Sequence, residues 1–136
     1  MKLHYDVSGD DFVRAGEVSS EFKKLLKKLG ISSDIIRKIA IAMYEAEINM
    51  VIHADGGVID AEILEDKVKV ILKDVGPGIV DIDLAMQEGY STATEEIRDL
   101  GFGAGMGLAN MKRNSDFLNI NSEVGVGTTV EIIVNL

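Results

Sequence analysis

The segment from Ile35 to Ile52 constrains the fold more than any other part of the chain, because a helical projection shows apolar residues on nearly all sides. Such a helix has no face suited to solvent, so we expect it to be buried between two layers. Glu45, Asn49 and His53 follow one another at four-residue intervals, and at about 100° per residue they share one face. A carboxylate and a carboxamide in apolar surroundings are costly unless they have partners.

The other segments predict strands and helices in a mixed order. Residues 3–7 alternate apolar and polar side chains, which is typical of a strand with one wet face. A first helix, capped by Asp10 or Asp11, carries an apolar stripe and ends at Gly30. We then expect, after the buried helix, strands over 58–64 and 67–73, helices over 81–88 and about 106–115, and strands over 117–121 and 128–134. The order predicts one domain over residues 1–136, with an α+β fold whose helices cover one face of a mostly antiparallel sheet.

Composition narrows the range of functions. The formal net charge of −9 argues against a nucleic-acid partner, since such surfaces need clustered basic residues. The absence of Cys excludes disulfides, Cys-type zinc sites and a thiol nucleophile. No apolar run approaches the ~18 residues of a spanning helix, and the N-terminus lacks a signal core, so we expect a cytoplasmic domain without a membrane partner. A lysine cluster at 23, 24, 27 and 28 is interpreted as a solvated face, with partner docking as the alternative.

The polar face of the buried helix offers groups for metal and proton chemistry. Asn49 has a neutral oxygen suited to Mg²⁺, an ion that keeps several waters and bridges phosphates. Glu45, one turn earlier, is able to accept a proton from an attacking hydroxyl or water. The alternative is structural: Glu45 reaches solvent, Asn49 bonds a neighbouring strand, and His53 caps or packs at the helix end. Glu47 competes as a base, but it points about 160° away from Asn49.

Asp74 directly follows a β-branched strand and opens the segment Asp-Val-Gly76-Pro-Gly78, which precedes Ile79. A carboxylate there is able to accept a hydrogen bond from an exocyclic amine, which adenine presents and guanine does not. The two glycines allow close approach of the backbone to a base, and Pro77 stiffens the turn. An ordinary turn is the alternative interpretation.

A glycine run, at positions 101, 103, 105 and 107, directly precedes the helix expected from about residue 106. Backbone amides of such a turn, together with a helix N-terminus, form an anion nest suited to phosphates. The pattern is neither a Walker loop nor a dinucleotide-binding fingerprint. The alternative is a hinge loop, and residues 89–105 are expected to be mobile.

In this order, the segments resemble the N, G1 and G2 boxes of the Bergerat-fold (GHKL) ATPases. Length and detail are most similar to the small bacterial serine kinases that act as anti-sigma factors or switch proteins. The resemblance covers nearly the whole chain, at residues 11–14, 45–49, 74–78, 85–92, 103–108 and 127–129. It implies a two-layer α/β sandwich that binds ATP and Mg²⁺.

The resemblance also implies roles for individual residues. Glu45 would be the general base for a substrate Ser or Thr hydroxyl, Asn49 the Mg²⁺ ligand, and Asp74 the reader of adenine. The other positions implied to bind the nucleotide are His53 on the shared helix face, Gly76, Gly78 and Ile79 around the base, Thr128 through a water, and Ser91, Thr92, Gly103, Ala104, Gly105, Met106, Gly107 and Leu108 over the phosphates. Such a site works mainly by positioning and charge neutralisation.

The function implied is a serine/threonine protein kinase of a partner-switching circuit, which phosphorylates a STAS-type antagonist protein. A sigma factor or a phosphatase would be a further partner, and a homodimer through the first strand is possible by analogy. One alternative is a nucleotide-dependent binding module with weak transfer. The other is a detached histidine-kinase catalytic domain; the lack of a dimerisation-and-histidine domain before residue 3 argues against it. Gly103 stands where some relatives carry a phosphate-contacting Arg; Lys112 or Arg113 would substitute, or else be solvated, and Arg14 would contact a partner.

Overall fold

Within the described residues, strands and helices follow one another in the order that the sequence predicted. The computed structural model describes residues 1–9, 13–52, 54–76 and 107–136. Its elements are strand β1 (Lys2–Ser8), helices α1 (Glu17–Lys28) and α2 (Ser33–Ile52), strands β2 (Gly56–Ile63) and β3 (Lys67–Asp74), helix α3 (Gly107–Arg113), and strands β4 (Phe117–Glu123) and β5 (Gly127–Asn135). The helix predicted over 81–88 and the segment 89–105 that was expected to be mobile lie outside the described residues.

The strands form one sheet in the order β1-β2-β3-β5-β4, and each neighbouring pair is antiparallel. In the centre, Val70 pairs with Ile132, and both side chains are 1% exposed. Alternate residues of the strands point to the opposite side, as the period of two in a pleated strand requires. The predicted α+β fold with an antiparallel sheet is confirmed.

Helix α2 is buried, as its apolar character predicted. It packs against α1, against α3 and against strands of the sheet. Its side chains Ile39, Met43 and Met50 are at most 2% exposed and belong to the same core as Phe22 of α1 and Met111 of α3. Complete burial of side chains of this size stabilises the fold by about 1.5–3 kcal/mol each, so α2 is the central element of the core.

The C-terminus of α1 confirms the stop predicted at Gly30. This glycine has φ 77°, in the left-handed region that side chains with a Cβ rarely adopt. The N–H of Gly30 donates to the Lys27 carbonyl at 3.1 Å, and the N–H of Ile31 donates to the Leu26 carbonyl at 3.2 Å. This pair of hydrogen bonds is a Schellman motif, which satisfies the last carbonyls of the helix.

The N-terminus of α1 differs from the prediction of a cap at Asp10 or Asp11, and this prediction is wrong. The helix begins at Glu17, and its N-cap is Gly16, which supplies no side-chain hydrogen bond. The acceptor comes instead from α2: Glu47 receives the N–H groups of Gly16, Val18 and Ser19 at 3.0, 3.2 and 2.8 Å. The Ser19 hydroxyl adds a fourth hydrogen bond at 2.6 Å. A carboxylate distant in sequence thus replaces the local cap and fixes α1 on α2.

Two glycines extend β2 beyond its expected start. Gly56 and Gly57 precede the predicted first residue, Val58, yet they pair with Ser8 and Val7 of β1. A Cβ on Gly57 would lie 2.0 Å from the Lys73 carbonyl oxygen, so only glycine permits this close pairing. The start of β2 is therefore held tightly against the end of β3.

The outer surface of α1 carries the lysine cluster of residues 23, 24, 27 and 28, and all four side chains are exposed. None of them forms an ion pair within the described part of the chain. Among the helices described, none has the length and apolar character needed to cross a bilayer.

Candidate functional site

The second half of α2 brings two of the predicted residues against α3. Gly107, the first residue of α3, lies beside Asn49 and Glu45: a Cβ added there would lie 3.3 Å from Asn49 Nδ2 and 3.5 Å from Glu45 Oε2. Any side chain at this position would fill the space in front of the carboxamide and the carboxylate. The absence of a Cβ therefore keeps a cradle open between α2 and the start of α3.

The Glu45 carboxylate is oriented by a residue that the sequence did not single out. Asn110 of α3 donates a hydrogen bond from Nδ2 to Glu45 Oε1 at 3.1 Å. Asn110 follows Gly107 by three residues, so both lie on the same face of α3. That spacing is the one signal by which Asn110 could have been found. The alternative that Glu45 simply extends into solvent is not what the structure has.

The Asn49 carboxamide has no hydrogen-bond partner in the described part of the chain. No buried side-chain nitrogen or oxygen of those residues lacks a partner, so the unpaired carboxamide of Asn49 is accessible. The alternative, a bond to a neighbouring strand, is absent. An accessible amide oxygen beside a Cβ-free turn fits an ion that keeps most of its waters. The described residues contain no group of three His, Cys, Asp or Glu that would form an all-protein cage.

Asp74 is the last residue of β3 and is half-buried. Its Oδ1 accepts the backbone N–H of Thr128 at 2.8 Å. Burial raises the pKa of Asp74 above its ordinary value, and the hydrogen bond from Thr128 partly opposes this shift. Within the described residues, Oδ2 receives no hydrogen bond, so one oxygen of a partly desolvated carboxylate is available as an acceptor.

Thr128 and Gly127 hold the Asp74 side chain from the neighbouring strand. Thr128 is 7% exposed, and its hydroxyl shares a hydrogen bond of 2.9 Å with Ser122. Gly127 has φ 151°, and a Cβ there would lie 2.3 Å from the Asp74 carbonyl oxygen and 3.1 Å from Oδ1. The start of β5 thus contacts Asp74 at its backbone and at its side chain.

The turn after Asp74 is tied to both neighbouring loops. The N–H of Asp55 donates to the Val75 carbonyl at 2.7 Å, and the N–H of Val75 donates to the Gly56 carbonyl at 3.0 Å. Gly76 donates to the Val126 carbonyl at 3.3 Å. Asp55 and Gly56 come three and four residues after the end of α2, so these bonds join the residue that follows Asp74 to the segment that follows the helix carrying Asn49 and Glu45.

Several predicted residues are not brought into this arrangement. Leu108 is 6% exposed and packs in the core, so only its backbone is available to a ligand. Lys112 and Arg113 lie exposed in the last turn of α3. Lys112 lies about 140° around the helix from Gly107, which is not the face that contacts Glu45. The remaining predicted positions, His53, Gly78, Ile79, Ser91, Thr92, Gly103, Ala104, Gly105 and Met106, lie outside the described residues.

Comparison with known proteins gives a family for this arrangement. The model of the histidine kinase-like ATPase domain matches residues 11–134. Serine/threonine-protein kinase RsbT of Bacillus subtilis is 33% identical over 115 residues, which cover 82% of this chain and 80% of that protein. Anti-sigma F factor of Clostridium beijerinckii is 38% identical over 105 residues, which cover 73% of this chain and 70% of that protein.

Solved structures agree on the fold. The RsbU and RsbW domains of Rv1364c from Mycobacterium tuberculosis superpose with a TM-score of 0.63 at 19% identity, over 98% of this chain and 31% of that one. The mycobacterial sensor histidine kinase MprB superposes with a TM-score of 0.56 at 15% identity, over 99% of this chain and 97% of that one.

The predicted family and the predicted class, a kinase related to anti-sigma factors, are confirmed. The chain belongs to the histidine kinase-like ATPase domain family.

Proposed function

We propose that this chain binds ATP with Mg²⁺ and transfers the terminal phosphoryl group to a serine or threonine hydroxyl of a STAS-type antagonist protein. One observation carries the proposal: Glu45 and Asn49 stand together against the Cβ-free Gly107, on a helix whose end is tied to Asp74. The names of the relatives, a serine/threonine-protein kinase and anti-sigma F factors, support the same reaction.

Asp74 is proposed to read the adenine amine. Its Oδ1 is engaged by the Thr128 N–H, which fixes the carboxylate and leaves Oδ2 to accept from the base. An acceptor at this point favours adenine, because the matching edge of guanine carries a carbonyl. Gly76, Gly78 and Ile79 are proposed to frame the base, and Thr128 to support it through a water.

Asn49 is proposed to hold the metal through its amide oxygen, beside phosphates that approach the backbone at Gly107. Bound Mg²⁺ would supply charge neutralisation for the phosphates and would keep most of its coordination for water and phosphate oxygens. Here the chain would position the metal and the phosphates, through Asn49 and the space beside Gly107, and would add no charge of its own. Ser91, Thr92 and residues 103–108 are proposed to close over the phosphates, and His53 to lie beside them.

Glu45 is proposed as the general base. In the transfer, the substrate O–H bond breaks and its proton passes to the carboxylate, while the substrate oxygen bonds to the terminal phosphorus. The bond between that phosphorus and the bridging oxygen breaks, and ADP leaves with the electron pair. Glu45 lies about one helical turn from Asn49 on the same face of α2, so the base and the metal ligand would border the same short space beside Gly107.

The biological setting is proposed from the same relatives. A kinase related to anti-sigma F factors would act in the cytoplasm and would exchange an antagonist for a sigma factor or a phosphatase according to phosphorylation. A second copy would pair along β1, since this strand is an edge of the described sheet. Sedimentation of the purified chain would detect the dimer, and a purely monomeric chain would exclude it.

The decisive experiment combines two variants with purified protein, Mg-ATP and a STAS protein encoded beside it. Asp74→Asn keeps an oxygen for the Thr128 N–H but presents a donor to the adenine amine, so ATP affinity should fall by about 30- to 150-fold, or about 2–3 kcal/mol. Glu45→Gln should abolish transfer while nucleotide binding, measured by calorimetry, survives.

Other outcomes separate the alternatives. Nucleotide binding without transfer in the unaltered chain would favour a nucleotide-dependent binding module instead of a kinase. An ATP affinity in the Asp74→Asn variant equal to that of the unaltered chain would contradict the proposed adenine site.

A further inference from the structure

The bond between Asn110 and Glu45 joins two helices that are 65 residues apart in sequence. Asn110 donates from Nδ2 to Glu45 Oε1 at 3.1 Å. Among the described residues, this is the one hydrogen bond that the Glu45 carboxylate receives. The other oxygen, Oε2, faces Gly107 and the open cradle. The two oxygens of Glu45 therefore have different surroundings, one bound to protein and one directed to the site.

The donor stands on a rigid support. Asn110 is flanked on α3 by Leu108 and Met111, which are 6% and 0% exposed and anchor the helix in the core. The Asn110 carbonyl accepts the backbone N–H of Asn114 at 3.1 Å, a bond that holds the Asn110 backbone in its helical turn. The Nδ2 group is therefore presented at a fixed place, and α3 cannot shift it without disturbing the core.

A fixed donor matters because a glutamate side chain has three rotatable bonds. Ordering such a side chain costs about 1–2 kcal/mol of rotamer entropy, which would otherwise have to be lost during the reaction. Asn is neutral, so it orients the carboxylate without placing a positive charge beside it. A lysine or arginine in this place would instead hold the carboxylate in an ion pair and compete with the substrate proton.

We propose that Asn110 is a positioning residue, which holds Glu45 so that Oε2 faces the substrate hydroxyl. The inference rests on the proposed function, because it assigns to Asn110 a part in transfer and none in nucleotide binding. The outcome expected is specific: loss of Asn110 lowers kcat and leaves the affinity for ATP unchanged.

The test compares Asn110→Ala with a matched control, Asn114→Ala. The control removes the same kind of side chain four residues later, directly after the end of α3, where it contacts the Asn110 carbonyl and not Glu45. Asn110→Ala should lower kcat for transfer by about 10- to 100-fold, as for other groups that orient a reacting residue. The dissociation constant for Mg-ATP should change by less than about 2-fold, and Asn114→Ala should keep kcat within about 3-fold.

A third variant separates orientation from packing. Asn110→Asp has nearly the same shape but presents a carboxylate to a carboxylate, so transfer should fall further than in Asn110→Ala at neutral pH. On acidification the new carboxyl gains a proton and becomes a donor again, so its activity relative to Asn110→Ala should rise. A purely structural role would give the two variants parallel pH profiles.

The results separate this inference from the proposed function. Suppose that the unaltered chain transfers phosphate, that Glu45→Gln abolishes this transfer, and that Asn110→Ala has a normal kcat. This result overturns the role of Asn110 and leaves the proposed function in place. Equal losses of kcat in Asn110→Ala and Asn114→Ala also overturn it, since the effect would then belong to the helix. No transfer by the unaltered chain overturns the proposed function and this inference with it.

Discussion

The capping of α1 by Glu47 predicts a large loss of stability from one substitution. Glu47 is 1% exposed and accepts four hydrogen bonds, three from backbone N–H groups at the start of α1 and one from the Ser19 hydroxyl. In Glu47→Ala all four donors lose their acceptor together. A hydrogen bond to a charged group is worth about 1.5–3 kcal/mol, and water would recover part of this at the exposed helix start, so we expect a loss of about 3–5 kcal/mol.

That loss is large relative to the stability of a single domain, which is about 5–15 kcal/mol. For a chain of 136 residues, the unfolding entropy of about 2.1 cal/mol/K per residue converts the loss into a fall in Tm of about 10–18 °C. Urea unfolding followed by circular dichroism would give the free energy, with the m-value as the check on two-state behaviour. Amide exchange at Val18 and Ser19 should accelerate first, because these N–H groups lose their acceptor directly.

Two further variants test the reasoning behind this number. Glu47→Gln keeps one acceptor oxygen, but its NH₂ group then faces donors: either the Gly16 and Val18 N–H groups or those of Ser19. Its loss of unfolding free energy should therefore be about half that of Glu47→Ala. The control is Glu21→Ala, which removes an exposed carboxylate from the same helix and should stay within about 0.5 kcal/mol. A Glu47→Ala protein within about 1 kcal/mol of the unaltered chain would refute the account, as would a Glu47→Gln protein of unchanged stability.

Three other predictions concern the site and the sheet. Gly107→Ala should leave Tm unchanged or slightly raised, because Ala is a better helix former than Gly. It should lower the affinity for Mg-ATP in calorimetry, because the added Cβ enters the cradle, and an unchanged affinity would contradict the cradle. The hydrogen bond to Asp60 raises the pKa of His4, so this pair stabilises the fold below the ordinary His pKa and loses its effect as pH rises through the folded value; NMR titration should give a lower pKa for His4 in Asp60→Asn, and no change would exclude the pairing. Burial raises the pKa of Asp74, so ionisation costs stability as pH rises through the folded value; in urea titrations from about pH 4 to about pH 8, Asp74→Asn should gain stability relative to the unaltered chain, and a constant difference would argue against the shift.

The sequence predicted the elements that are determined by local pattern. The apolar sides of α2, the alternation in the strands and the stop at Gly30 depend on neighbours within one or two turns, so the pattern alone reveals them. The pairing of Glu45 with Asn49 followed from helical spacing in the same way. These predictions needed no knowledge of what lies across the core.

The start of α1 and the partner of Glu45 could not be predicted, for one physical reason. Glu47 acts on residues 28 to 31 positions earlier, and Asn110 acts on a residue 65 positions earlier. Such contacts exist only after α1 and α3 have packed on α2, and local spacing within one helix does not show which residue of another helix lies opposite. Helical spacing predicts that Glu47 points away from Asn49, but it does not predict that Glu47 caps α1.

The hydrogen bond from the Gly76 N–H to the Val126 carbonyl joins two residues that are 50 positions apart in the chain. Asp74 and Thr128, 54 positions apart, are joined by the bond from the Thr128 N–H to Asp74 Oδ1, at the end of β3 and the start of β5. Closing a loop costs only about 0.6 kcal/mol more for each doubling of its length. A change in the number of residues between β3 and α3 therefore costs the fold little, while the hydrogen bonds that join Asp74 and Gly76 to the start of β5 are kept.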